Sequence, residues 1–470
     1  MASAAEQLAA NLNFGAFAKA EELKKRIWFT LGALLIYRFG TFIPLPGIDP
    51  QAFAEAFQNQ SSGILGMFNM FAGGAVERMA IFALNIMPYI SASIIMQLMS
   101  SVDKRLEALK KEGEQGRKQI NQYTRYLTVL LASVQAYGIA IGLEASQSSL
   151  GPIVTEPGWF FRLTTVITLV GGTMFLMWLG EQITARGVGN GISLIIFAGI
   201  VAALPTAVAQ LFELSSQGAL SAFVLILLLV TMIVAVIVIV FMERAQRRLL
   251  VQYPKRQVGN RMFQGDSSHL PLKLNSAGVI PPIFASSLLL LPITAAQFTA
   301  GPGSQAPEWL QWVTAALGYG QPLHMLFYAV LIVFFCFFYT AVVFNPQDTA
   351  DNLRKYGGFL PGYRPGEQTA KYIDYVLTRI TVVGAVYLAA VCLLPELMIA
   401  NAGVPASFGA VLGGTSLLIA VWVTMVTVAG VRCDRVARGD EGVVGGCEVG
   451  GGGGRGGRGG GGGGGGRGGA

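Results

Sequence analysis

The chain has 470 residues, of which 53% are hydrophobic and only 13% charged, with a mean hydropathy of +0.55 and a formal net charge of +7. Soluble domains carry about twice that charge content, so the composition excludes an ordinary soluble protein and points to a polytopic membrane protein. Two histidines and four cysteines, none at metal or redox-motif spacing, give no pattern for a metal centre or a disulfide framework, and no cofactor is expected.

Residues 1 to 22 are alanine-rich and suit a surface helix. Apolar runs of about 20 residues, the length that crosses a bilayer, then fall at 26–43, 79–99, 123–143, 159–180, 190–209, 219–242, 275–292, 323–344, 374–395 and 411–430. Lys24, Lys25 and Arg26 before the first run have the form of a signal peptide, but no small-residue cleavage site follows, and the run is read as a retained span. Pro44 and Pro46 end it.

The stretch from 63 to 99 is a membrane segment broken in two. Its first part, 64 to 71, is apolar but only about two helical turns long, and Gly73, Gly74, Glu77 and Arg78 separate it from a helix expected over 79–99 with Pro88 inside. Backbone broken at membrane depth is tolerated only where it is buried in protein or lines a cavity, so the break marks a pathway. A second such segment begins at Asn275. Pro88, Ile90, Ala92 and Ser93 repeat there as Pro281, Ile283, Ala285 and Ser286, which suggests an internal repeat.

Lys and Arg fix the orientation. They crowd the N-terminal arm and the connections around 104–125, 186, 244–273 and 354–371, whereas 44–76, 144–158, 210–218, 293–322 and 396–410 contain none. Both ends are therefore expected on the cytoplasmic side. Five spans in each half place the halves in opposite orientations if they are repeats. The domains expected are an arm at 1–22, a first half at 23–210 with the segment 63–74, a second half at 211–430 with loops 243–274 and 345–373, and a disordered glycine-rich tail at 431–470.

The half-helix with Met87-Pro88-Tyr89-Ile90-Ser91-Ala92-Ser93 closely resembles the SecY family, the pore subunits of bacterial protein-secretion channels. The resemblance continues through KKEGEQGRKQINQYTRY (110 to 126), GNGISLIIFAGI (189 to 200), KRQVG (255 to 259), HLPLK (269 to 273), PGYRPGEQT (361 to 369) and GGTSLLI (413 to 419). It implies an all-α fold of ten spans in two inverted five-helix halves around a central pore in the inner (plasma) membrane. It implies a pore ring of Ile86, Ile90, Ile192, Ile196, Ile283 and Ile419, and a plug that includes Ile64, Leu65, Met67, Phe68, Asn69, Met70 and Phe71 with Gly73 and Gly74 as hinge. The second and seventh spans would form one edge of a lateral gate, with Ser91, Ser93, Gln97, Ser286 and Ser287 on them. Lys255, Arg256, Arg261 and Arg364 match the positions that dock a SecA ATPase or a ribosome. The other partners implied are SecE, SecG, signal peptides, unfolded secretory polypeptides and membrane lipids.

The residues themselves favour a passive pore over its rivals. A coupled solute or ion transporter places charge near the midplane, and here Arg38, Glu77, Arg78 and Glu181 lie near span ends. A membrane enzyme needs a cluster of His, Cys or paired carboxylates at depth, and none is visible; nor is there a GxxxxGK[ST] phosphate loop, so the pushing energy must come from a partner. The tail departs from the family pattern, with Val426 where an acidic residue is usual and glycine dominating 443–470.

Overall fold

The computed structural model describes residues 21 to 439 apart from 61–68, 70, 71, 146, 149, 150, 217–221, 254, 255, 259, 260, 264–266, 300–311, 314, 317, 319, 320 and 403–413. The expected surface helix of the N-terminal arm and the glycine run after 439 lie outside the described residues.

In chain order the elements are α1 (Glu21–Gly40), α2 (Pro50–Gln60), α3 (Met87–Val102), α4 (Lys104–Lys111), α5 (Glu114–Ala145), β1 (Gln147–Ser148), β2 (Gly151–Pro152), α6 (Trp159–Arg186), α7 (Gly191–Ser216) and α8 (Ala222–Arg244). There follow β3 (Gln246–Gln252), β4 (Arg256–Val258), β5 (Arg261–Phe263), β6 (Ser267–Lys273), α9 (Ile280–Thr299), α10 (Pro322–Val343), α11 (Pro346–Lys355), α12 (Glu367–Ala402) and α13 (Gly414–Gly439). Helices α5, α6, α7, α8, α10 and α12 are each long and apolar enough to cross a membrane unaided. With α1, α3, α9 and α13 they occupy the positions of the ten expected spans.

Packing sorts these ten into two halves. Helices α1, α3, α5, α6 and α7 contact one another, as do α8, α9, α10, α12 and α13. The halves meet along two seams. On one side α7 packs against α8 and α13; on the other α3 and α5 pack against α9. Helix α8 exposes large apolar side chains nearly all round, among them Phe223, Leu227, Val230, Val234, Ile237 and Phe241, as suits a helix whose surroundings are lipid.

Several boundaries differ from the sequence expectation. The run at 79–99 is not helical throughout: 72–86 is a chain of turns, and α3 starts at Met87. Pro88, which has no N–H to give, suits the first turn of a helix, where that donor has no partner in any case. Ahead of it Met79 (φ 44) and Asn85 (φ 49) are left-handed, and the turns are stitched to the 43–45 segment through the Pro44–Ala80 bridge, with Leu45 N to Met79 O (3.0 Å) and Ile81 N to Ile43 O (3.0 Å). The run at 275–292 is likewise helical only from Ile280. The last helix continues to Gly439, so the first residues of the expected disordered tail are helical. The connection 243–274 is not an irregular loop: β3 and β6 pair antiparallel over seven residues each, and β4 pairs with β5.

The repeat is legible at atomic level. Pro88 and Pro281 are both the second residue of their helices, and two residues before each helix stands a left-handed residue, Asn85 and Gly278 (φ 65). Ala92 and Ala285 are both fully buried.

Candidate functional site

At the centre, between the halves, lies a small apolar cavity lined by Asn85, Ile86, Met87, Ile90, Ile196, Ile283, Ser286 and Ile419, with room for about one water. Ile86 and Ile90 come from the start of α3, Ile196 from α7, Ile283 from the first turn of α9 and Ile419 from α13. Thus five of the six expected isoleucines, from four segments and both halves, surround one space. Ile192 is not among the lining residues. It sits one turn earlier on α7, next to Gly180 of α6, where a Cβ on that glycine would lie 3.1 Å from its Cγ1. Met87 and Asn85 were not expected there. The signal for Asn85 was present in the sequence, as the one polar side chain in the apolar stretch 79–88.

The turns around Gly73 and Gly74, the expected hinge, are held by polar contacts. Of the expected plug residues, Ile64, Leu65, Met67, Phe68, Met70 and Phe71 lie outside the described residues. Asn69 is described. Its Oδ1 accepts the Glu77 N–H (2.9 Å), its Nδ2 donates to Glu77 Oε2 (3.3 Å), and its carbonyl accepts from Gly74 N (2.8 Å). Gly73 (φ 64) passes so close to α7 that a Cβ would meet Gly199 Cα at 3.0 Å, so only glycine satisfies both the backbone angle and the space. The Gly73 carbonyl accepts from the Arg38 guanidinium, and the Ala72 carbonyl from Tyr37 Oη at 3.4 Å. Arg38 and Arg78 both lie against the Phe42 ring, at 4.9 and 4.1 Å from its centroid.

The residues expected at a lateral gate lie on α3 and α9, where Ser91, Ser93, Gln97 and Ser287 are half-buried and Ser286 is buried. The hydroxyls of Ser286 and Ser287 both donate to the Ile283 carbonyl of their own helix (2.9 and 2.8 Å), so these two groups are satisfied without bonding across the seam.

The SecY family profile matches residues 80–428. The protein translocase subunit SecY of Rickettsia bellii (strain RML369-C) is 55% identical over 413 residues, 88% of this chain and 94% of its own length. The chain belongs to the SecY family. Among solved structures, that of a protein-conducting channel superposes with a TM-score of 0.62 at 16% identity, covering 90% of this chain and 95% of the other. Sec61 in the canine ribosome–channel complex from the endoplasmic reticulum gives 0.60 at 16% identity with the same coverage. The fold is accordingly the SecY fold, and the chain is a multi-pass membrane protein with ten spans in two inverted halves around a central pore.

Within this SecY-family chain the two long basic connections form one platform. Gln252 at the end of β3 and Phe359 exchange both backbone hydrogen bonds (2.9 Å each). Leu249, Leu272 and Leu360 share a buried cluster with Ile373, Val376 and Ile380 of α12. Arg364 is exposed at the tip of the second connection. Left-handed Gly362 (φ 90) and Gly366 (φ 114) flank it, its carbonyl accepts from Thr369 Oγ1 (2.9 Å), and Tyr363 stacks on Tyr372 at 4.2 Å. Arg256 begins β4 and Arg261 begins β5; Lys255 lies outside the described residues. Arg247 and Arg248 are exposed on β3, two basic groups on the same platform that sequence motifs did not single out. Among the described residues no group of His, Cys, Asp and Glu is arranged to hold a metal.

Proposed function

We propose that this chain is the channel subunit of a Sec translocase, passing unfolded secretory polypeptides across the inner membrane and releasing hydrophobic segments sideways into the bilayer. The observation that carries this is the neck: five isoleucines from both halves around a space that admits about one water. Charge at mid-bilayer costs at least roughly 2.5–3.5 kcal/mol, and a dewetted apolar constriction blocks ions. Aliphatic side chains can re-pack around an extended polypeptide and offer it no hydrogen bonds to stick to. The transporter reading is not favoured, because the neck contains no ionisable side chain.

Segment 63–74 is the plug, bracketed by Asn69, Glu77 and Arg38, and α3 with α9 is the lateral gate. The gate assignment is supported by the seams: α7 and α8 are consecutive in the chain and tie the halves on one side, whereas α3 and α9 are joined by packing alone on the other. The basic connections face the cytoplasm with both termini. The platform around Arg364, Arg247, Arg248, Arg256 and Arg261 receives the driving partner, a SecA ATPase or a ribosome, whose RNA surface is anionic. SecE and SecG complete the complex, and signal peptides enter at the gate.

The test is a photo-crosslinking residue at Ile90 in membrane vesicles, with a secretory precursor stalled midway in the presence of SecA and ATP. Crosslinks that require a functional signal sequence are expected. Export without any Ile90 crosslink would refute the neck as the route.

A further inference from the structure

A buried ionisable cluster lies away from the neck, where the first turn of α10 meets the last turns of the antiparallel α12. His324 Nδ1 is 3.6 Å from Glu396 Oε2, with side chains only 7% and 1% exposed. The His324 ring stacks on Tyr328 (centroids 5.8 Å apart, planes 3° from parallel). Tyr328 Oη is hydrogen-bonded to Thr415 Oγ1 of α13 at 2.9 Å, and Thr415 Oγ1 lies 3.7 Å from Cys392 Sγ. Ile419, which lines the neck, is four residues after Thr415 and so stands on the same face of α13. Beside Glu396, Pro395 interrupts α12 and leaves the Val391 carbonyl without its helical donor.

We infer that His324 and Glu396 hold one proton between them and act as a latch that sets the closed position of Ile419. With one proton the buried pair is net neutral, either as acid and imidazole or as carboxylate and imidazolium. Removing that proton leaves a charged carboxylate inside the bundle, which is unfavourable where little water reaches. Among the described residues, Tyr328 from α10, Cys392 from α12 and the non-titrating Thr415 from α13 belong to the same cluster. Residues 290–321 and 403–413 add a single charge in sequence, Glu308.

When the shared proton leaves to the outer solution, Glu396 gains by hydration. That draws the end of α12 away from α10 at Pro395, where one helical hydrogen bond is missing, and the Tyr328–Thr415 bond transmits the movement to α13 and Ile419. The proton site stands on geometry alone; its effect on leakage, and the word outer, rest on the channel reading and orientation proposed above.

The experiment uses the full-length chain in its purified complex, reconstituted in lipid vesicles. Infrared difference spectra across pH steps should contain a protonated-carboxyl C=O band that is lost in Glu396→Gln. In His324→Gln the midpoint of that band should move by about one pH unit or more, the coupling expected of an interacting pair. Ion leak in the wild type should rise about tenfold over the pH range where the band disappears, equivalent to ~1.4 kcal/mol in the closed-to-open balance. Glu396→Gln, neutral at every pH, should leak at a constant low rate, and this variant keeps the test decisive if His324→Gln does not fold. A band whose midpoint is the same in His324→Gln, or a leak that ignores the band's titration, overturns the latch. The leak of Ile419→Ser in the same vesicles separates that failure from a failure of the channel reading, since its absence would count against the neck itself.

Discussion

Replacing Ile419 by serine tests the neck most directly. Ile419 is 2% exposed and lines the central space with residues of the other half. The change deletes three carbons and adds one hydroxyl oxygen, losing about 2.4 kcal/mol of apolar burial at ~0.8 per methylene. It opens room on the order of two waters, at about 30 Å³ each, in a neck that now admits about one. If the hydroxyl and those waters recover about 2 kcal/mol of an ion's barrier, leak rises roughly 30-fold, at 1.36 kcal/mol per factor of ten. The assay is ion flux from vesicles holding the complex without precursor, normalised to inserted protein. Ile192→Ser is the control, because Ile192 lies one turn away and does not line the space; its leak should stay within about twofold of the wild type, equivalent to about 0.4 kcal/mol. Equal leak from both variants, or none from Ile419→Ser, would refute the argument that these five isoleucines seal the pore.

Gly414→Ala should destabilise the protein by about 1–3 kcal/mol through overpacking, because its Cβ would lie 1.8 Å from the Val391 carbonyl oxygen; Gly430→Ala, with nothing within 4 Å of its Cβ, should be neutral or slightly stabilising, and thermal unfolding of the purified complex compares them. Asn69→Ala removes both side-chain bonds to Glu77 and should loosen the hinge by about 1–3 kcal/mol, read as faster protease cleavage near residue 73 and raised leak; unchanged cleavage would mean that the bracket does not hold the plug. Arg364→Ala should reduce SecA-driven transport severalfold while leaving precursor-free leak unchanged, and a leak that rises instead would assign Arg364 to the fold and not to docking.

The ten spans were legible because hydropathy and length are sums over neighbours in the chain, and ten helices stand at those runs. The SecY resemblance was legible for the same reason, carried by contiguous motifs. The repeat was visible as Pro-x-Ile-x-Ala-Ser, yet its physical meaning was not. Pro88 and Pro281 each stand at a helix start just after a left-handed residue, and reading 79–99 as one helix hid the first of those starts. Strand pairing in 246–273 was hidden because the hairpin's stability comes from its partner, the Phe359 segment, and from a cluster with α12.

The sequence by itself determined what each segment is: which runs enter the membrane, which connections are basic, and that two halves correspond. Tertiary structure alone decided what meets what. Ile192 and Ile196 have identical chemistry and share a helical face, yet of the two only Ile196 lines the central cavity, whereas Ile192, a turn away, packs against Gly180 of α6. His324, Glu396 and Thr415 become one cluster only when α10, α12 and α13 are packed. Composition and spacing are local quantities, whereas a constriction or a buried pair depends on how helices distant in sequence cross.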